Sequence, residues 1–154
     1  MVQTFSDGKK IYSVDMMFAY INLFNPSITY LDTEKFKNTL LYKGWGDPIK
    51  KIKYSPADVL KNPKKKEYEN DIQRIKNADL KYPIIVFNNY IVDGVHRYVK
   101  TIQEKKKEIK AYIFDKETMD KFLINDKGDW ESITKMKTYD YIEIFFRKFN
   151  KKPI

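Results

Sequence analysis

Apolar residues recur at helical spacing in some blocks of the chain and alternate with polar ones in others. From Ile11 to Phe24, the positions Val14, Met17, Phe18 and Ile21 follow i, i+3, i+4, i+7. This spacing predicts a helix entered through a short strand at Ile11–Val14 and ended by Asn25-Pro26. Asp32 is placed to cap a helix from Thr33, with Phe36, Leu40 and Leu41 on its inner face. Tyr42 to Pro48 holds two glycines and a proline and reads as an irregular connection. Ile49 to Tyr54 offers at best a short, exposed edge strand. Ser55-Pro56 opens a single capped turn, with Pro56 at the first helical position. Glu67 to Asn77 predicts a helix whose Tyr68, Ile72 and Ile75 form one stripe and whose acidic residues crowd the N-terminal half.

The next block changes period. Pro83 to Phe87 reads as a strand, Asn88-Asn89 as a tight turn of residues that tolerate positive φ, and Tyr90 to Val92 as the returning strand. Asp93-Gly94 breaks that strand. Val95, Tyr98, Val99 and Ile102 then fall at helical spacing, and Ile109, Ala111 and Ile113 alternate as a strand. Asp115 or Thr118 opens a further helix through Leu123, Asp126 to Asp129 is a turn, and Tyr139 to Phe149 is helical in period. Strands interleaved with helices, one hairpin among them, predict an α+β fold in a single domain over residues 1–154.

Composition narrows the chemistry. The 154 residues carry 30 Lys+Arg against 21 Asp+Glu, a formal charge of +9, with 16% aromatic residues and 42% apolar ones. That aromatic share is far above that of a disordered chain. The absence of cysteine excludes disulfides, thiolate zinc sites and cysteine nucleophiles, and a single histidine excludes a His-rich metal site. No stretch approaches the length needed to span a membrane, and the N-terminal apolar patch is broken by Asp15, Tyr20 and Asn22, unlike a secretory signal. An intracellular protein is expected. Heavy use of Lys, Asn, Ile and Tyr fits an AT-rich genome, which supplies part of the positive charge without any ligand. The lysine runs Lys61–Lys66, Lys105–Lys107 and Arg147–Lys152 suit either a polyphosphate backbone, DNA or RNA, or a solvated surface.

Asp93-Gly94-Val95-His96-Arg97 sits where a strand turns into a helix, and it contains the only histidine. First-turn amides have no intrahelical partners and the helix end carries partial positive charge, so such a junction suits an anion. Gly94 permits a sharp turn and a close approach to phosphate. Arg97 adds a fork of donors, and His96 exchanges protons near neutral pH. Asp93 is placed to coordinate Mg²⁺, to activate a hydroxyl or to cap the helix. The bland reading is an ordinary Asp-Gly turn beside a structural histidine. Trp45 and Tyr42 are expected in the core, with base stacking as the alternative.

The stretch from Arg74 to Asp115 resembles the ParB/sulfiredoxin superfamily: a helix, a PIIV strand, a hairpin, a DGxHR turn, a helix and a closing strand. The resemblance implies a small mixed sheet with a β-hairpin, surrounded by helices. The best-matched core is 67–115, flanked by an N-terminal elaboration and a C-terminal helix. Sulfiredoxins are similar at Gly94 to Tyr98, but their catalytic cysteine would fall at Val95, so sulfinic acid reduction is excluded while nucleotide binding is not. Free-serine kinases of the group carry an Asp-Gly-x-His-Arg turn on the nucleotide phosphates. Chromosome-partitioning members bind CTP and DNA and carry a downstream helix-turn-helix, which is not evident after Asp115.

By this resemblance the protein is expected to bind ATP, ADP or CTP with Mg²⁺, through Gly94, Val95, His96 and Arg97. Asp93 and His96 are the catalytic candidates, and Asp93 is the metal ligand. Leu31 to Lys35 is similar to a sulfiredoxin segment whose lysine contacts the nucleotide, which adds Lys35; the alternative is a solvated lysine on an amphipathic helix. Phosphotransfer or NTP hydrolysis is the implied activity. The alternatives are a nucleic-acid-binding module or nuclease, and an inactive structural or interaction protein.

Overall fold

The first helical block folds as its spacing requires, and so do most of the later segments as far as Asp120. The computed structural model describes residues 3–47 and 49–125. In chain order they form β1 (Thr4–Ser6), β2 (Ile11–Ser13), α1 (Val14–Phe24), β3 (Thr29–Asp32), α2 (Lys37–Leu41), β4 (Trp45–Asp47), β5 (Ile52–Tyr54) and α3 (Pro56–Lys61). After these come α4 (Glu69–Asn77), β6 (Ile84–Phe87), β7 (Tyr90–Asp93), α5 (Val95–Gln103), β8 (Glu108–Phe114), α6 (Lys116–Asp120) and β9 (Leu123–Asn125). Single 3₁₀ turns at Thr33–Phe36 and Lys66–Tyr68 lead into α2 and α4. The class is α+β, with small sheets and, among the described residues, six α-helices. No helix among them is long and apolar enough to cross a membrane. The turn expected at Asp126–Asp129, the helix expected at Tyr139–Phe149 and the basic run Arg147–Lys152 lie outside the described residues.

Within the span read as one domain, the described residues fall into two compact units, 3–27 with 114–125 and 28–113. In the first, β1, β2 and β9 form an antiparallel sheet, with Tyr12 opposite both Phe5 and Leu123. The Ser13 hydroxyl accepts from the Met16 amide at 3.1 Å and starts α1, while Asn25, left-handed at φ 45°, ends it. Ile11, Val14, Met17, Met119 and Phe122 are fully buried. Each such side chain contributes roughly 1.5–3 kcal/mol by leaving water. The helix expected to run through Leu123 stops at Asp120, because Leu123–Asn125 pairs with β2 instead. A backbone partner already waiting in β2 outweighs weak local helix propensity in a five-residue segment.

In the second unit the main sheet has the order β3-β8-β6-β7, with β3 antiparallel to β8 and β6 antiparallel to β7. The Asn88-Asn89 turn closes the β6–β7 hairpin with φ of 51° and 63°, the left-handed pair that a two-residue hairpin needs. Ile84, Val86, Tyr98, Ile109, Ala111 and Phe36 make one buried cluster; Tyr54, Val59, Tyr68, Ile75 and Val99 make another. Helix α5 faces both, through Tyr98 in the first and Val99 in the second. The Tyr98 hydroxyl donates to the Thr33 carbonyl at 2.8 Å and fastens the turn before α2 to α5. Lys100 donates from Nζ to the carbonyls of Lys76 and Ala78, which caps the C-terminus of α4.

The stretch expected to be irregular, Tyr42 to Pro48, instead contains a strand. β4 pairs with β5 antiparallel, Trp45 opposite Tyr54 and Gly46 opposite Lys53. Gly46 is what permits it: at φ +126°, a Cβ there would lie 2.1 Å from the Ile52 carbonyl oxygen. The glycine taken as a breaker is the residue that lets the two backbones close. Leu41, expected on the inner face of its helix, is 70% exposed, and Tyr42, expected in the core, is 74% exposed.

Candidate functional site

The site is built at the junction of β7 and α5. Gly94 stands there at φ 103°, ψ 26°, and a Cβ would lie 2.6 Å from Ile84 Cγ2. Only glycine takes this conformation without strain and fits against the buried Ile84. Having no side chain, Gly94 gives the first-turn amides of α5 no capping bond. The first helical hydrogen bond runs from the Tyr98 amide to the Gly94 carbonyl at 2.9 Å. The partial positive charge of a nine-residue helix is thus directed at a turn with no side-chain cap.

Arg97, expected on a phosphate, holds the protein's own oxygens in this structure. Its Nη1 donates to the carbonyls of Tyr82 at 3.1 Å and Pro83 at 2.7 Å, and Nη2 donates to Asp93 Oδ2 at 2.7 Å. The guanidinium pins the approach to β6 onto the turn before α5. Asp93 is committed in the same way. Its carboxylate lies on Arg97, with the two side chains 14% and 19% exposed. Among the described residues no three His, Asp or Glu side chains gather as a metal cage. Asp93 alone does not make a cage for a Mg²⁺ held by the protein, and its Oδ2 already lies on Arg97.

The two catalytic candidates take different partners, Asp93 on Arg97 and His96 on Asp71. His96 Nε2 lies 2.9 Å from Oδ1 of Asp71, on α4, and the Tyr54 hydroxyl donates to the other oxygen, Oδ2. Trp45 from β4 stacks on the imidazole with centroids 4.4 Å apart and planes 8° from parallel. The Asp71 and His96 side chains are 11% and 16% exposed. Burial holds the His96 pKa below its ordinary value; the hydrogen bond to Asp71 works against that shift, and Arg74 nearby reinforces it. Burial, followed by the Asp71 bond, pushes the Tyr54 phenol well above its ordinary range, so it remains a donor. Nε2 faces a carboxylate oxygen, so a neutral imidazole that donates to it carries its lone pair on Nδ1.

Tyr54 and Asp71 are not among the sequence candidates, and Trp45, expected in the core, is half-buried and stacks on His96. One signal was available: Asp71 lies three residues after Tyr68 and four before Ile75, on the apolar stripe of its helix. A carboxylate on a buried stripe needs partners. Val95 packs its side chain against the second core cluster, so its share in any site is its backbone amide. Lys35 is exposed on the 3₁₀ turn that Tyr98 ties to α5. Compared with models of known families, with curated proteins and with solved structures, the chain matches none.

Proposed function

We propose that the first turn of α5 is the phosphate seat of a nucleotide-binding protein of the ParB/sulfiredoxin type, with phosphotransfer or NTP hydrolysis as its chemistry. The observation that carries this reading is the left-handed, side-chain-free Gly94 at the mouth of α5, with a carboxylate-paired imidazole two residues on. Amides and helix dipole together favour an anion, and phosphoryl transfer asks the protein mainly for positioning and charge. The nucleotide is ATP, ADP or CTP, with Mg²⁺ carried on the phosphate oxygens rather than by a protein cage. Arg97 contributes first by holding the turn in shape, and Lys35 is a candidate for an outer contact.

Calorimetry of the folded protein with each nucleotide, with and without Mg²⁺, tests the proposal. Saturable binding that weakens in Gly94→Ala supports it, and no binding of any of the three defeats it. The exposed lysines between Lys61 and Lys66 and at Lys105–Lys107 favour nucleic-acid backbone as the competing source of phosphate. Binding to DNA or RNA that falls steeply with salt, without nucleotide binding, would select that reading.

A further inference from the structure

We infer that Tyr54 and Asp71 are positioning residues that make Nδ1 of His96 a proton acceptor for an O–H substrate, an alcohol or water, next to the bound phosphate. This rests on the phosphate reading above and deepens it. The geometry leaves one choice of nitrogen. Asp71 receives Nε2–H at 2.9 Å, so the basic lone pair of the neutral ring is on Nδ1. The ring plane is held by Trp45, stacked on its face. The carboxylate is itself held by two donors, the imidazole and the Tyr54 phenol, on a side chain that is 11% exposed.

Three linked polar side chains among apolar ones make an expensive way to fill a core. An apolar set of similar volume is often at least as stable. The arrangement gains its use when a proton moves. The O–H proton passes to Nδ1, and the oxygen keeps the bonding pair and bonds to the terminal phosphorus. The shortened nucleotide leaves with the electrons of the broken bond to the bridging oxygen. Nε2–H keeps its hydrogen bond to Asp71, whose negative charge stabilises the imidazolium that forms. The charged groups around the ring are Asp71 and Arg74 on α4 and Asp93 on β7. The two carboxylates favour the imidazolium, and Arg74 opposes it. Asp93 already shares its charge with Arg97, so Asp71 is the direct partner.

His96 is the sole histidine, so its ring resonances report this site alone. The experiment is ¹⁵N-detected tautomer assignment and pH titration of His96 in the full chain, without ligand, in wild type, Asp71→Asn and Tyr54→Phe. The expected neutral ring is protonated at Nε2. Asp71→Asn, which removes the charge and keeps the shape, is expected to lower the proton affinity of His96 about tenfold or more. Tyr54→Phe removes a donor from Asp71, leaves more negative charge facing the ring, and is expected to raise that affinity. The opposed pair of shifts shows that both side chains set the proton affinity of the ring. A ring protonated at Nδ1, or an unmoved titration in either folded variant, overturns the inference. Should Asp71→Asn fail to fold by near-ultraviolet circular dichroism, Tyr54→Phe decides alone. ATP, ADP and CTP, each with Mg²⁺, are then added to wild type in turn. A shifted His96 resonance supports the inference as a whole. No response alongside intact opposed shifts overturns the phosphate seat and with it the assigned substrate, leaving only the relay.

Discussion

Replacing Gly94 by alanine tests whether the turn at the mouth of α5 is as constrained as its geometry requires. The perturbation adds one methyl group at φ +103°, and that methyl meets Ile84 Cγ2 at 2.6 Å and Arg97 Nη2 at 3.0 Å. Two costs are involved. Left-handed backbone costs an L-residue about 1–2 kcal/mol. Crowding a buried methyl group costs about 1–3 kcal/mol more. The Ile84 side chain is 0% exposed and has nowhere to retreat, so the sum of about 2–5 kcal/mol applies. Gly8→Ala is the control, because Gly8 stands at φ +100° and an added Cβ would meet nothing within 4 Å. It should show the backbone cost alone, about 1–2 kcal/mol. Urea unfolding at constant m reads both, with hydrogen exchange at the α5 amides localising the Gly94 effect. Equal losses in the two variants would refute the steric reasoning, and so would a Gly94→Ala protein as stable as wild type.

Three further outcomes rest on the same geometry. Tyr98→Phe keeps a fully buried ring but leaves the Thr33 carbonyl without its donor, and is expected to destabilise the protein by about 1–3 kcal/mol in urea unfolding. Ser55→Ala removes one half of the capping box that starts α3, in which Ser55 and Asp58 exchange bonds, and should cost about 1 kcal/mol by the same measurement. Acid should weaken the fold in a window set by His96. Because burial lowers its folded pKa below 6.5, the unfolded chain binds a proton between those two values that the folded chain does not. Stability therefore falls as pH drops below 6.5, the loss is complete below the folded pKa, and His96→Gln should flatten that slope. At the other end Tyr98, pushed up to about 12 by burial, stays protonated in the fold while the unfolded chain ionises near 10, so stability falls as pH rises past 10.

Local signals were readable wherever one short segment sets its own conformation. Asn25 ends α1, Asn88-Asn89 turns the hairpin, Ser55-Pro56 starts α3 and Gly94 separates β7 from α5, each through backbone sterics or a cap within four residues. The spacing of Val95, Tyr98, Val99 and Ile102 likewise places a helix, because a helix shows one face every 3.6 residues whatever lies around it. The α+β class follows from that alternation of periods.

Partnership was decided only by the fold. Asp71 and His96 are 25 residues apart in the chain, and Trp45 reaches the same imidazole from a strand whose existence depends on Gly46 meeting Ile52. Arg97 shows the same division. Its place on α5 is visible in the string Asp93 to Arg97, whereas its bonds to Asp93, Tyr82 and Pro83 are not. Backbone preference and capping act over a few residues and leave a mark in the order of residue types. Which donor finds which acceptor depends on the distances left after distant segments pack, where a buried polar group must take the partner the chain brings to it.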